Sequence, residues 1–271
     1  MGSKGRYRSG TLVLVLAGLW FFSMVGMRES WAAPQSFSKA SLKGSYEVLL
    51  VVWTSPENVT NQGYLGILTF DGKGGVKGSF TINTGGTITT DSYSGTYAVK
   101  SNGTGSLSVT DSQNNTLQLA LVITSVGVQF EQTNPNGSTA VMNGTGTPQG
   151  AKSFSDASLK GSYGFLENKW DTTSDPNSSE PDSTLGLLSF NGAGKVSVSF
   201  TDEHKGQVNT TTGGGTYSVN SDGSASASVT LSNNRQVTFA IVINSAGKAM
   251  QFQGTDCGCG NAVLAGTAIK Q

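Results

Sequence analysis

The chain has 271 residues, and its 17 basic and 17 acidic side chains leave no net charge at pH 7. This balance argues against a nucleic-acid-binding protein, which carries clustered positive charge. The 37 glycines are about twice the usual share, but only six prolines accompany them, which excludes a collagen-like or proline-rich chain. One histidine and two cysteines leave few residues for catalysis or metal binding.

Residues 1–32 have the layout of a secretory signal peptide. Lys4, Arg6 and Arg8 precede an apolar run at residues 11–27, and the small residues Ser30 and Ala32 form a cleavage site. We therefore expect cleavage after Ala32, a secreted or periplasmic protein, and no membrane span in the mature chain. The alternative is an uncleaved anchor, since the apolar run approaches the lower length limit of a membrane span.

The rest of the chain is one sequence unit written twice. Residues 36–46 read SFSKASLKGSY and return, with one change, 117 residues later at 153–163. The offset grows to 120 residues between Leu65 and Leu185, and to 122 residues between Phe130 and Phe252. A period near 120 residues is the size of a whole domain. We therefore predict one domain at residues 33–148 and a second at residues 149–271.

Each repeat has the pattern of short β-strands. Val76, Phe80 and Ile82 alternate with polar residues, which is typical of a half-buried strand. Pairs such as Asp71-Gly72 and Asn102-Gly103 favour the tight turns of antiparallel hairpins. In the first repeat we predict eight strands, at residues 44–54, 63–70, 75–83, 91–99, 104–111, 116–124, 127–133 and 139–146.

These strands predict an all-β protein with two tandem antiparallel meanders. The connections are too short for parallel crossovers, and closing each meander into an eight-stranded up-and-down β-barrel removes its exposed edges. Glycines inside the strand patterns fit the sharp bends of a small barrel, namely Gly66, Gly78, Gly95 and Gly144. A pair of β-sandwiches is the alternative. An eight-stranded barrel either fills with side chains or holds one small ligand.

The first strand of each repeat resembles the start of lipocalin and avidin-like barrels. The segments 42–46 and 159–163 both read LKGSY and follow the Leu-x-Gly-x-aromatic pattern, although those families usually place Trp at the aromatic position. Over nearly the whole mature chain, the pattern SLxGxY, F[DN]GxG and GTY is similar to secreted bacterial tandem-repeat proteins of uncharacterised function. This resemblance implies a secreted β-barrel protein and no activity.

The titratable residues do not form a recognisable catalytic set. His204 follows Asp202 and Glu203 in a predicted polar loop, with neither a nucleophile nor an orienting partner nearby in sequence. Glu47 and Glu131 are interpreted as exposed charges on the outside of the barrel rather than as paired catalytic carboxylates. We therefore predict a protein that is not an enzyme, with no cofactor and no metal site.

Cys257 and Cys259 flank one glycine at a predicted hairpin tip. Export would place them in an oxidising compartment, where they could form a disulfide within the turn or bonds between molecules. Two thiolates alone cannot complete a four-coordinate zinc site. We interpret the pair as a redox-sensitive turn without a catalytic role.

Four aromatic residues are the predicted ligand-binding positions. Trp53 and Trp170 are 117 residues apart at the end of the first strand of each repeat, and Tyr97 and Tyr217 form a second equivalent pair. Such side chains commonly line small-molecule sites, although they could instead fill the barrel ends. The sequence thus predicts a binding module for a small apolar ligand. The alternative is a structural or adhesive envelope protein that contacts glycans or proteins, and the oligomeric state is left open.

Overall fold

A computed structural model of the chain shows two closed β-barrels in tandem, each made of eight antiparallel strands in chain order. It describes residues 35–53, 61–134, 140–151, 153–171, 180–204, 206–256 and 263–271. The prediction of two eight-stranded barrels is confirmed, and the sandwich alternative is wrong. The predicted signal segment and both cysteines lie outside the described residues.

Each barrel closes by pairing its first strand with its last. The first barrel consists of β1 Lys43–Trp53, β2 Gln62–Asp71, β3 Gly75–Thr84, β4 Thr87–Val99, β5 Thr104–Thr110, β6 Thr116–Ile123, β7 Val128–Gln132 and β8 Val141–Pro148. The second consists of β9 Lys160–Asp171, β10 Glu180–Asn191, β11 Lys195–His204, β12 Gln207–Val219, β13 Ser224–Leu231, β14 Gln236–Asn244, β15 Ala249–Asp256 and β16 Val263–Lys270. In the described part of the chain, no helix has the length and apolarity needed to cross a membrane.

Glycines allow neighbouring strands of the barrels to approach each other closely. At Gly95 a Cβ atom would stand 2.0 Å from the carbonyl oxygen of Ser108 on the neighbouring strand. At the equivalent Gly215 the corresponding distance, to the carbonyl oxygen of Ser228, would be 1.8 Å. No side chain fits at such a distance, so the close approach of the strands requires glycine at both positions.

One end of each barrel is closed by a short 3₁₀ turn that precedes its first strand. The turn Lys39–Ser41 covers the first barrel, and the Tyr97 hydroxyl lies 2.9 Å from the Lys39 carbonyl oxygen and 2.8 Å from that of Leu42. Tyr217 makes the same contacts with the turn Asp156–Ser158, at 2.8 Å and 2.9 Å. The SLxGxY and GTY motifs therefore meet at the closed ends, where they fix the first turn to the barrel.

The F[DN]GxG motif forms the hairpin turn between the second and third strands of each barrel. In the first barrel, Asp71 Oδ1 accepts hydrogen bonds from the backbone nitrogens of Lys73, Gly74 and Gly75. These bonds, first among them that from Lys73, lower the pKa of Asp71. Asn191 caps the equivalent turn of the second barrel. All three repeated motifs thus have structural roles.

The two barrels belong to one compact unit, and the outer surface of β1 and β2 packs against β14, β15 and β16. Leu65 points outward from β2, yet only 1% of its surface is exposed. Val242 and Val263 point outward from the second barrel and are 4% and 2% exposed. Burial of these side chains between the barrels gives the interface an apolar centre.

Side-chain amides surround this apolar centre and bond across the interface. Gln251 Nε2 donates to Thr145 Oγ1 at 3.0 Å, and Asn83 Nδ2 donates to the Gly254 carbonyl oxygen at 2.9 Å. With its amide oriented to satisfy both neighbours, Gln253 donates to the Gly63 carbonyl oxygen at 3.1 Å and accepts from the Asn83 backbone nitrogen at 3.0 Å. These bonds fix the register of one barrel on the other.

Gln149 anchors the linker between the barrels. Its backbone nitrogen donates to the Ser45 carbonyl oxygen of the first barrel at 3.0 Å. Its side-chain Nε2 donates to the carbonyl oxygens of Asp222 and Ile243 in the second barrel, at 2.9 Å and 3.2 Å. The linker is therefore bonded to both barrels and buried at this residue.

Glu47 is fully buried between the barrels, so the prediction that it is an exposed charge is wrong. It does point outward from β1, but the second barrel covers it. Its Oε1 atom accepts a hydrogen bond from Asn244 Nδ2 at 3.2 Å, whereas its Oε2 atom has no partner. Both residues line a cavity of about 260 Å³ whose other lining residues are uncharged. This burial raises the pKa of Glu47 well above its usual value of 4.5.

Replacement of Glu47 by glutamine is expected to stabilise the protein at pH 8. Because the carboxyl pKa is raised on folding, its favourable contribution is complete below pH 4.5 and is lost as the pH rises through the folded-state pKa. A neutral amide avoids the buried charge, and we expect a gain of about 1–3 kcal/mol in the free energy of unfolding. Urea unfolding of both proteins at pH 8 and pH 4 measures this gain, which should be smaller at pH 4. An equal gain at both pH values would contradict the burial of an ionisable carboxyl group.

Candidate ligand-binding site

The interior of the second barrel contains a cavity of about 330 Å³. This volume is at the lower end of the range of about 300–1,000 Å³ found for small-molecule sites. Its walls are mostly apolar, and three of its phenylalanines pack edge to face: Phe165 and Phe239 each lie 5.8 Å, between ring centroids, from Phe252. The cavity therefore offers aromatic surfaces to an apolar ligand.

A row of polar side chains crosses the cavity wall on four neighbouring strands. Register places Glu167 beside Thr184, Thr184 beside Asp202, and Asp202 beside Asn209. Glu167 and Thr184 are buried, Asp202 is half-buried and Asn209 is exposed. The row thus leads from the interior towards the end of the barrel opposite the 3₁₀ turn.

Two cationic side chains also line the cavity. Lys169 follows Glu167 on the inner face of β9, and Arg235 lies in the turn between β13 and β14. The lining therefore carries two acidic and two basic residues. Such a set favours neutral or zwitterionic polar groups over a strongly charged ligand of one sign.

In the first barrel, aromatic side chains fill the equivalent space. The row that matches the polar row consists of Leu50, Tyr64, Ile82 and Thr89. Tyr64 and Tyr93 both pack edge to face on Phe80, with ring centroids 6.3 Å and 5.4 Å apart. Burial raises the pKa of both tyrosines, because the phenolate is disfavoured away from water.

The cavity exists where the second barrel lacks these side chains. Thr184 is equivalent to Tyr64, and Gly213 is equivalent to Tyr93. A third replacement in the same direction puts Ala227 in the position of Leu107. The second barrel also has larger side chains at two inward positions, Phe165 for Val48 and Phe239 for Leu119, so the interior differs in shape as well as in volume.

The structure separates the four predicted ligand-binding aromatics into two groups. Tyr97 and Tyr217 lie at the closed ends, and Tyr217 does not line the cavity. Trp53 ends β1, and Trp170 lies near the end of β9 opposite Val263, so both are at the open ends. The ligand-binding role of all four residues stays a prediction.

Sequence reasoning missed the polar row and the residues whose small size creates the cavity. Alignment of the inward-facing positions of the two repeats would have found them, because Thr184 and Gly213 stand where the first repeat has tyrosines. The prediction that His204 lies in a loop is wrong, because β11 extends to His204, which pairs with Gln207. Within the described ranges, no group of three or more His, Cys, Asp or Glu residues could hold a metal ion.

A model of the lipocalin-like domain family matches residues 18–125. The matched segment includes β1 to β6 of the first barrel, and it supports the lipocalin-like resemblance found in the sequence. The similarity to secreted tandem-repeat proteins stays a prediction. No curated protein matches the chain.

Solved structures with low identity are similar to the chain over most of its length. One is a protein of unknown function from the DUF3598 family of Nostoc punctiforme PCC 73102, with 14% identity, coverage of 84% of this chain and 96% of that chain, and a TM-score of 0.28. Another is transferrin binding protein B of serogroup B Neisseria meningitidis, with 7% identity, 84% and 76% coverage, and a TM-score of 0.32. The third is the Haemophilus parasuis Hp5 protein of that name, with 8% identity, 87% and 76% coverage, and a TM-score of 0.29.

Proposed function

We propose that the protein is a non-enzymatic binding protein whose second barrel holds one small, mostly apolar ligand. The observation that carries this proposal is the cavity of about 330 Å³ in the second barrel, at the place where tyrosines fill the first. The first barrel then acts as a filled scaffold that packs against the binding barrel.

The lining indicates the shape of the ligand. The cavity replaces two phenol rings, so a ligand of one or two rings would match its size and pack against Phe165, Phe200 and Phe252. The polar end of the ligand would lie at Glu167, Thr184 and Asp202, where hydroxyl or amine groups can donate hydrogen bonds to the carboxylates. Trp170 would stand beside the entrance, as the sequence predicts for both tryptophans.

We further propose that the protein acts outside the cytoplasm, in the periplasm or the medium. The support for this location is the signal-peptide layout of residues 1–32. No cofactor and no metal belong to the proposed function.

Native mass spectrometry of the protein, purified under mild conditions from its producing cells, tests the proposal. We expect a mass that corresponds to cleavage after Ala32, together with an added mass that disappears on denaturation. N-phenyl-1-naphthylamine, an apolar fluorescent probe with two ring systems, should bind to the ligand-free protein.

Thr184→Tyr should abolish both the added mass and the probe signal, because the new ring fills the cavity as Tyr64 fills the first barrel. Thr210→Tyr is the matched control, since Thr210 is exposed on the outer face of β12 and adds the same ring outside the barrel. A bare native mass together with no probe binding would refute the proposal. Equal probe binding by both variants would place the ligand elsewhere.

A contact with other proteins is a second candidate function. It is favoured by large apolar side chains that are exposed on the outer surfaces of both barrels.

A further inference from the structure

The interface between the barrels is formed by one face of each barrel, and these two faces differ from each other. The β1–β2 face, defined by the outward residues Leu49, Leu65 and Ile67, is covered by the β14–β16 face, defined by Val242, Gln251 and Val263. The repeat produces a second copy of each face. The β9–β10 face is the copy of the first, and the β6–β8 face is the copy of the second.

The β9–β10 face keeps its apolar residues, but no strand in the described part of the chain packs on it. Leu166, Leu185 and Leu187 are equivalent to Leu49, Leu65 and Ile67, and the register repeats the pairing of the first two. Leu65 is 1% exposed, whereas Leu185 is 66% exposed. An apolar residue is thus retained at each of these three positions although none of the described residues covers the face.

The β6–β8 face shows the same contrast. Val122 and Val141 are equivalent to Val242 and Val263, with identical residues in both repeats. The first two are 43% and 49% exposed, and the last two are buried in the interface. The two uncovered faces are therefore copies of the two halves of an interface that the chain already forms once.

Polar contacts of that interface are also retained in the copies. The bond from Gln251 to Thr145 has its equivalent pair in Gln129, on the β6–β8 face, and Thr267, beside the β9–β10 face. The same two residue types therefore face each other if one copied face docks on the other.

The linker residue Gln149 has an equivalent as well. Gln271 donates its backbone nitrogen to the Ser162 carbonyl oxygen at 3.0 Å, as Gln149 does to Ser45. Its side chain is exposed, and the carbonyl oxygens of Asn102 and Ile123 are equivalent to the two that Gln149 bonds.

We propose that copies of this chain associate head to tail, with the β9–β10 face of one molecule on the β6–β8 face of the next. The contact repeats the geometry of the interface between the barrels. Because it joins two different faces, a dimer still has one free face of each kind, one on each molecule, and association continues beyond a dimer.

Two differences between the repeats weaken this contact. Glu131 and Glu203 are equivalent to Gln253 and Asn83, which bond each other across the interface between the barrels. Docking of two molecules therefore brings two carboxylates together, and their repulsion weakens the contact. Replacement of the two glutamates should therefore strengthen the association, whereas a charge placed at one of the apolar residues should weaken it.

Sedimentation velocity of the whole mature protein over a range of concentrations tests the proposal. We expect species larger than a dimer to grow with concentration. Glu131→Gln combined with Glu203→Asn copies the internal interface and should shift association to a concentration about tenfold lower, since it removes the repulsion. Leu185→Asp should shift it about tenfold or more in the other direction.

Thr216→Asp is the control, because Thr216 is exposed on the outer face of β12, away from Glu203 and outside both faces. It should leave association unchanged. A protein that remains monomeric even with both glutamates replaced would overturn the proposal. So would an association that stops at a dimer, or one that Leu185→Asp and Thr216→Asp weaken equally. None of these results depends on a ligand, so the binding function of the second barrel is tested separately.

Discussion

Replacement of Tyr93 by alanine is expected to open a cavity in the first barrel and to destabilise the protein by about 3–5 kcal/mol. Tyr93 is buried and packs against Phe80, so its removal takes away one of the two rings that pack edge to face on Phe80. Urea unfolding measures the loss. The result would show that the tyrosine ring of the first barrel occupies space that is open in the second barrel.

A small phenol added to the solution is expected to bind in the cavity of the Tyr93→Ala protein. 4-Methylphenol corresponds to the tyrosine side chain, and it should raise the melting temperature of Tyr93→Ala by several degrees because it binds only the folded state. The measurement is best made with Thr184→Tyr in the same chain, so that the second barrel is also filled. Tyr93→Phe keeps the ring and should show no rescue. A Tyr93→Ala protein that 4-methylphenol does not stabilise would contradict this account of the interior.

Replacement of Gly215 by alanine is expected to cost about 3 kcal/mol or more, and to prevent folding of the second barrel if the strands cannot separate. The added methyl group would stand 1.8 Å from the Ser228 carbonyl oxygen, which is a backbone atom held in the sheet. Relief of this overlap requires β12 and β13 to move apart, which breaks their hydrogen bonds. Circular dichroism during thermal unfolding measures the effect.

The neighbouring Gly214 provides the control for that variant. It points outward from the same strand, and the nearest atom to a Cβ there is 3.8 Å away. Gly214→Ala should therefore change stability by no more than about 0.5 kcal/mol. Equal losses for the two variants would mean that glycine is needed for its backbone freedom rather than for the close approach of the strands.

The strands could be predicted from the sequence because their pattern is local. Alternation of apolar and polar residues identified β3 within one residue, since it runs Gly75–Thr84 against a predicted 75–83. The start of β4 was predicted at residue 91 but lies at Thr87. The cause is a two-residue turn at Gly85 and Gly86, both with positive φ, which lets the two strands pair up to the turn.

The binding cavity could not be predicted in the same way, because it depends on which residues meet inside the barrel. A glycine at position 213 in a strand is unremarkable until the register places it where the first barrel has Tyr93. Burial of Glu47 is also a tertiary effect. Its outward position on β1 could be predicted, but the barrel that covers it is formed by residues about 200 positions later.

The bonds of Gln149 bear on any attempt to divide the chain into its two repeats. A second barrel produced without this residue would leave the Asp222 and Ile243 carbonyl oxygens without their donor. It would also place Val242 and Val263 in water. Each barrel thus shields the other from solvent, and the smallest portion of this chain that keeps these two carbonyl oxygens bonded and these two valines buried is the pair.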